Sequence, residues 1–225
     1  MREKLIIVFS GIAAILLARN LGAMFLSLGD EAQQGAIYRI IFFHVPAAWT
    51  SFLGFFTALV ASVLFLKNKN FRNDALAVAA TEVGLAFCAV NLVTGMFWGR
   101  IIWGIWWTWD WRLTSMLICF ILYGGYLILR RAVEEPTQRA TLAAIFSIFA
   151  FADVPIVFFS IKWWRTQHPQ PVLWGGGSID PAMRSVLYWN FLAVLLIGVV
   201  LLLVRLRQEE VQREIDALRR EAHAI

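Results

Sequence analysis

The chain has 225 residues, of which 60% are hydrophobic and 16% are charged, and its formal net charge is +5. This composition is too apolar for an ordinary soluble domain, and the length is too great for a single membrane anchor. An integral membrane protein is therefore predicted. Loops and a tail at the lipid surface account for the positive charge, so no nucleic-acid partner is expected.

Six apolar runs are long enough to cross a bilayer, which takes about 20 helical residues. They lack the alternation of barrel strands, and backbone groups in lipid must be satisfied within their own element. The predicted fold is all-α, a six-transmembrane-helix bundle over residues 1–204 with a helical tail over residues 205–225. The runs are Leu5–Leu28, Val45–Leu66, Ala75–Trp98, Leu113–Leu129, Leu142–Ile161 and Ser185–Val204.

The first run stays apolar for longer than a signal-peptide core and has no clear small-residue cleavage site, so a retained helix beginning near Met1 is expected. Thirteen of the 20 basic residues lie at the N-terminus, in the second and fourth loops and in the tail. By the positive-inside rule, both termini are predicted to be cytoplasmic, and the other three loops to face outward.

The residues of chemical interest cluster in these outward loops. The first carries "FFHVPAAW" with His44, the second is "WGIWWTWDWRLTS", and the third carries "WWRTQHPQP" with His168. Because loops at one end of a bundle can meet, both histidines and the tryptophans are predicted to share a site. Taken alone, a histidine beside a proline can also cap a helix or bind a carbonyl.

The tryptophan segment, residues 103–112, contains five indoles. Four of them follow the i, i+3, i+4, i+8 spacing of one helical face, which predicts a short helix lying flat at the outer interface. Gly104 weakens this helix without forbidding it. The alternative is an aromatic belt, although belts usually spread their aromatics over many helix ends. The five indoles are Trp103, Trp106, Trp107, Trp109 and Trp111.

A haem macrocycle suits such an aromatic surface, because its faces pack on aromatics, its iron binds imidazole and its propionates pair with cations. His44 and His168 are the candidate axial ligands, since His223 lies in the tail. Arg100, Arg112 and Arg165 are candidates for the propionates, although interfacial arginines also reach toward lipid headgroups.

Several other polar residues receive structural interpretations. Asp110 is expected to brace its loop, by pairing with Arg112 or by capping backbone N–H groups. Arg19 and Asp153 lie at similar depths in their helices and are predicted to form an ion pair, whereas Glu82 has no evident partner. Cys88 and Cys119 are interpreted as small packing residues.

The tail has Val211, Ile215, Leu218, Ala222 and Ile225 at heptad-like spacing, so a helix that docks on a partner subunit or lies along the membrane surface is predicted. Gly175, Gly176 and Gly177 after Trp174 lack the lysine of a phosphate-binding loop. ATP use would have to come from a partner, and no enzymatic activity is expected.

The motif "WGIWWTWDWRLTS" resembles the WWD signature of haem-handling membrane proteins. Together with "FFHVPAAW", "WWRTQHP" and "SIDPAMRS", it makes the whole chain similar to the CcmC family of bacterial cytochrome c maturation. The resemblance implies that His44 and His168 bind the iron of haem b and that Trp103, Trp107, Trp109, Asp110 and Arg112 form the haem surface. One departure is "RTQHPQP", where other members read more like "NTLHQG"; it affects the local loop conformation.

The resemblance also implies a function at the periplasmic face of the bacterial inner membrane. The protein would deliver haem to the haem chaperone CcmE, alongside the transporter subunits CcmA, CcmB and CcmD and in contact with membrane lipid. Two alternatives stay open, a bis-histidine b-type cytochrome in electron transfer, and a permease or structural subunit anchored by its tryptophans.

Overall fold

The computed structural model describes residues 2–171 and 179–223, so the predictions for Trp174, Gly175–Gly177 and Ile225 lie outside it. The described residues form seven α-helices. A π-helical turn, Ala23–Ser27, extends the first helix, and a 3₁₀ helix, Ala36–Ile40, leads into the second. The helices are α1 (Arg2–Gly22), α2 (Ile41–Asn68), α3 (Phe71–Ile102), α4 (Trp111–Ala132), α5 (Pro136–Phe151), α6 (Asp153–Trp163) and α7 (Pro181–His223).

The prediction of six membrane-spanning helices is confirmed by length and composition. Five spans consist mainly of one α-helix each, and α5 and α6 together form the other. The chain turns at Ala152 between α5 and α6, because Pro155 has no N–H to donate to the carbonyl of Phe151. The chain is thus a multi-pass membrane protein. The spans are Arg2–Ser27, Ala36–Asn68, Phe71–Ile102, Trp111–Ala132, Pro136–Trp163 and Pro181–Arg219.

The helices α2 and α3 pack along each other at the centre of the bundle. A Cβ atom added to Gly54 would lie 2.9 Å from the Cα atom of Gly84, so side-chain-free positions let the two backbones approach. The ring of Phe55 stacks on Tyr123 of α4 with a centroid separation of 3.7 Å. The interface formed in this way holds α2, α3 and α4 in fixed relative positions.

The helix α7 continues without a break from the last membrane span into the tail, so residue 204 is not a helix end. The tail contacts its own chain. Arg2 pairs with Glu210 at 2.6 Å, Arg213 with Asp74 at 2.6 Å, and Arg205 with Glu82. Glu82, which had no evident partner in the sequence, is therefore neutralised by the tail.

The predicted ion pair between Arg19 and Asp153 is wrong. The helix α1 packs on α7, where Arg19 donates to the side-chain oxygen of Asn20 (3.1 Å) and lies over the ring of Trp189. Asp153 is buried beside Cys119 instead. The helix α1 has its main helix contact with α7, and α6 packs on α4, so the two side chains lie in different parts of the bundle.

Candidate functional site

A cavity of about 620 Å³ opens at the end of the bundle where α2 begins and α3 ends. Its volume falls within the roughly 300–1,000 Å³ of small-molecule and cofactor sites. The wall includes residues from α2, α3, α4, α6, α7, the 3₁₀ helix and three connecting segments. Among them are five of the predicted site residues, His44, Trp103, Trp107, Arg112 and His168.

The two imidazoles face this cavity from separate parts of the chain. His44 lies in the first turns of α2, inside the helix rather than in the preceding loop, and His168 lies in the segment between α6 and α7. Their ring centroids are 6.4 Å apart, and the ring planes are inclined by 29°. Metal–imidazole bonds are about 2 Å long and each ring centre lies about 1 Å behind its nitrogen, so two imidazoles on one metal ion are roughly 6 Å apart.

The helix α3 holds His44 in place. Thr94 donates its hydroxyl hydrogen to the carbonyl of Val90 (2.7 Å), so its oxygen accepts from Nδ1–H of His44 (3.0 Å). This assignment leaves the lone pair on Nε2. The Asn91 amide nitrogen lies 3.2 Å from Nε2 and 3.3 Å from Nδ1. The same amide nitrogen also donates to the His44 carbonyl (3.0 Å), so Asn91 keeps a partner when Nε2 binds a ligand.

Gly95 permits this approach of α2 to α3. A Cβ atom at position 95 would lie 3.1 Å from Cε1 of His44, which is tighter than ordinary packing. Asn91, Thr94 and Gly95 were not identified from the sequence. Their i, i+3, i+4 spacing of polar or small residues within an apolar span is the signal that could have identified a helix face built around another side chain.

His168 has the same protonation pattern. Its Nδ1 lies 2.8 Å from the carbonyl oxygen of Pro169, which can only accept, so Nδ1 carries the proton and Nε2 keeps its lone pair. Burial at the cavity wall, and then the positive charge of Arg112, lower the pKa of His168 to about 4. At neutral pH the imidazole is therefore uncharged, as a metal ligand must be.

Asp110 braces the site by the capping arrangement that the sequence suggested. It caps α4 by accepting from the N–H of Arg112 (2.9 Å), and it also accepts from the hydroxyl of Thr166 (2.7 Å) and the N–H of Gln167 (2.9 Å). The hydroxyl of Thr166 in turn accepts from the N–H of His168 (3.0 Å). One carboxylate thus joins the start of α4 to the segment that carries the second histidine.

Two donors in the cavity wall have no anionic partner among the described residues. Arg112 donates to the backbone carbonyl of Val157 and forms no ion pair in that part of the chain, not even with Asp110. The buried indole N–H of Trp107 has no hydrogen-bond partner there either. A guanidinium and an indole N–H in one apolar cavity suit a carboxylate-bearing ligand.

The predicted interfacial helix in the tryptophan segment is wrong. Gly104 has φ +76°, a left-handed conformation that ends the helical path, and residues 105–110 are not helical. The indoles divide into two groups as a result. Trp103 and Trp107 line the cavity, whereas Trp106, Trp109 and Trp111 are exposed and Trp111 stacks on Trp164.

The other two predicted arginines lie away from the cavity wall. Arg100 is exposed and donates to the carbonyl of Gly104, which closes the turn after α3. Arg165 is exposed in the segment after α6. Of the three arginines, only Arg112 is placed beside both histidines.

These features define a class of protein, a multi-pass helical membrane protein with a paired-imidazole cavity at one end of its bundle. Comparison with known sequences identifies the family within this class. Residues 1–221 match the profile of CcmC, described as heme exporter protein C. The chain therefore belongs to the heme exporter protein C family.

Individual relatives support this assignment. Heme exporter protein C of Bradyrhizobium diazoefficiens is 39% identical over 191 residues, which cover 84% of this chain and 73% of the relative. The protein of the same name from Escherichia coli strain K12 is 39% identical over 178 residues, covering 79% and 72%. A ccmC-like mitochondrial protein of Marchantia polymorpha is 37% identical over 180 residues, covering 80% and 76%.

Proposed function

We propose that this chain binds haem in the cavity as its cargo, with the iron held between His44 and His168, and passes it on during cytochrome c maturation. The observation that carries this proposal is the pair of imidazoles in the cavity wall, whose ring centroids are 6.4 Å apart. The oxygen atom beside Nδ1 of each ring assigns the proton to Nδ1 and leaves Nε2 for the metal. Family membership supports haem as the ligand, since the relatives are named heme exporters. Haem b is the form proposed.

The rest of the cavity wall also fits a porphyrin. Trp103 and Trp107 offer aromatic faces against which a macrocycle packs. Arg112 and the indole N–H of Trp107 are assigned to a propionate, because the guanidinium has no carboxylate partner and the indole N–H has no acceptor among the described residues. Asp110 acts indirectly, through the position of the His168 segment.

The exposed residues are assigned to the outer edge of the site. Trp106, Trp109 and Trp111 lie at the same end of the bundle as the cavity, with Arg100 and Arg165. We assign them to contacts with the haem edge as it enters or leaves, and an aromatic anchor in the lipid interface is the competing role.

The orientation and the partners complete the proposal. The cavity lies at the end opposite the basic loops and tail, so it faces the periplasm of a bacterial inner membrane and both termini are cytoplasmic. Haem then passes to the chaperone CcmE, and CcmA, CcmB and CcmD supply the transporter components. The chain binds and delivers without catalysing a reaction of its own.

Absorption spectra of the purified protein from haem-replete cells test haem ligation. The unaltered protein is expected to show a six-coordinate, low-spin spectrum, whereas H44A and H168A lose haem or become five-coordinate. H223A replaces the third histidine, in the tail, and serves as the matched control with an unchanged spectrum. Haem that is unaffected by both cavity substitutions would contradict the proposal.

Delivery and electron transfer are separated by a second experiment. When the haem-loaded protein is mixed with apo-CcmE, transfer of haem to the chaperone is expected. A b-type cytochrome would instead keep its haem and exchange electrons reversibly. Labelling of single cysteines in residues 103–110 and 164–171 from the outside of intact spheroplasts tests the orientation.

A further inference from the structure

Pro46 creates an unusual requirement in the helical turn that carries His44. Proline has no N–H, so it cannot donate to the carbonyl of Phe42 four residues earlier in α2. Phe42 is fully buried, and a buried backbone carbonyl without a donor is costly. The turn therefore needs a donor from another element.

Asn190 of α7 supplies that donor. Its side-chain nitrogen donates to the carbonyl of Phe42, and its side-chain oxygen accepts from the side-chain nitrogen of Asn20 in α1 (3.3 Å). Asn20 in turn accepts from the guanidinium of Arg19 (3.1 Å). Both asparagine side chains are completely buried. The amides form a continuous chain of hydrogen bonds from α1 through α7 to the turn of α2.

The position of this turn determines where the His44 imidazole lies. His44 is placed between Phe42 and Pro46, and its ring packs within van der Waals distance of Gly95 on α3. Without a donor for Phe42, the start of α2 would shift to satisfy the carbonyl. Such a shift would displace the ring from Thr94.

We infer that Asn190, supported by Asn20, is a positioning residue that fixes the His44 turn for metal ligation by replacing the hydrogen bond that Pro46 removes. The test of this inference by haem affinity rests on the proposed function. The competing role is a buried amide pair that only stabilises packing between α1 and α7. The two roles differ in their dependence on Pro46.

A double-mutant cycle separates them. In Asn190→Leu the carbonyl of Phe42 loses its donor, and haem affinity is expected to fall roughly 10- to 100-fold, as for other residues that orient metal ligands. In Pro46→Ala the N–H of residue 46 can donate to Phe42. The same Asn190→Leu substitution is therefore expected to have a much smaller effect when it is added to Pro46→Ala.

The same double-mutant cycle can be measured on haem-free protein, so that its result does not depend on ligand binding. Hydrogen–deuterium exchange of the amides in residues 41–48 is expected to accelerate in Asn190→Leu and to return toward the rate of Pro46→Ala in the double variant. Asn20→Leu is expected to cause a smaller change in the same direction, because Asn190 keeps its bond to Phe42. Tyr188→Leu, on the exposed face of α7, is the matched control and leaves the exchange unchanged.

The outcomes are distinct. Equal losses from Asn190→Leu with and without the Pro46→Ala substitution would overturn the inference and leave only the packing role. If Asn190→Leu alone does not fold, recovery of folded protein by the added Pro46→Ala supports the inference, and failure of both variants overturns it. If the unaltered protein binds no haem, the proposed function fails, while the exchange cycle still decides the role of Asn190.

Discussion

The two arginines at opposite ends of α4, one at each end of the bundle, have different kinds of partner. Arg112 and Arg130 lie on the same side of α4, about five turns apart. Arg130 forms a buried pair with Asp74 at 2.6 Å, and Arg213 of the tail binds the second oxygen of the same carboxylate. Arg112 has a backbone carbonyl as its acceptor and no carboxylate within ion-pair distance among the described residues.

This difference indicates that the charged groups at the two ends of α4 have different roles. At the tail end, opposite charges are matched inside the chain, so their removal should cost stability and little else. At the cavity end, neutral oxygen atoms hold Nδ1 of each imidazole, and the guanidinium of Arg112 has no carboxylate partner among the described residues. Polar groups that are held rigidly and have no partner of opposite charge are typical of binding sites.

The largest expected effect is at the tail end. Asp74→Asn leaves two arginines without their carboxylate, and breaking a buried pair in this way typically costs about 3–5 kcal/mol in the free energy of unfolding. Thermal and denaturant unfolding in detergent would measure the loss. Haem affinity of the folded fraction should stay unchanged, and a selective loss of haem with normal stability would contradict this difference in roles. Asp216→Asn, in the exposed part of the tail, is the control.

The next largest effect is at the cavity end. Arg112→Gln removes the charge assigned to a propionate, and haem affinity is expected to weaken by about 1.5–3 kcal/mol, roughly ten- to a hundredfold in Kd. Titration with haem and with its dimethyl ester provides the control. The ester has no carboxylates, so it should bind the unaltered protein and the variant equally. A similar loss for both ligands would remove Arg112 from propionate recognition.

A smaller effect is expected when a helix cap is removed at each end. Asp110→Ala deletes the cap of α4 and should lower the free energy of unfolding by about 1 kcal/mol. Glu135→Ala deletes the exposed cap of α5 and should also lower the free energy of unfolding, by a smaller amount. Only Asp110→Ala should also alter the haem spectrum, because only Asp110 holds the segment that carries His168. Matching spectral changes in both variants would indicate a general loss of structure instead.

The smallest effect concerns the partly exposed pair between Arg2 and Glu210, 2.6 Å apart. Glu210→Gln is expected to cost about 0–1 kcal/mol in stability, and the cost should shrink as salt is raised. Haem binding should not change. Unfolding measured at low and high ionic strength provides the test, and a large, salt-independent cost would show that this pair belongs with the buried network.

The six spans and the shared location of the two histidines could be predicted from the sequence, because the lengths of the apolar runs and the order of the loops determine them. The partners of the buried charged residues could not be predicted from the sequence. Arg19 and Asp153 were paired because the helical rise predicts similar depths, but the direction in which each side chain faces depends on how the helices pack. The pairing of Glu82 with Arg205 was missed for the same reason.

Local conformation limited the prediction of the site itself. The spacing of Trp103, Trp106, Trp107 and Trp111 fits one helical face, but the left-handed backbone at Gly104 ends the helix. Trp103 and Trp107 therefore line the cavity, whereas the other two are exposed. The residues that hold His44 were also missed, because Asn91 and Thr94 become informative only once α3 is known to face the start of α2.

The uninterrupted course of α7 has a mechanical consequence. Its 43 residues make a rod about 65 Å long. Met183 near one end forms part of the cavity wall, and Arg213 near the other binds Asp74. A force that tilts the tail would therefore also move the cavity wall, so a change at one end of the bundle can be transmitted to the other end along a single helix.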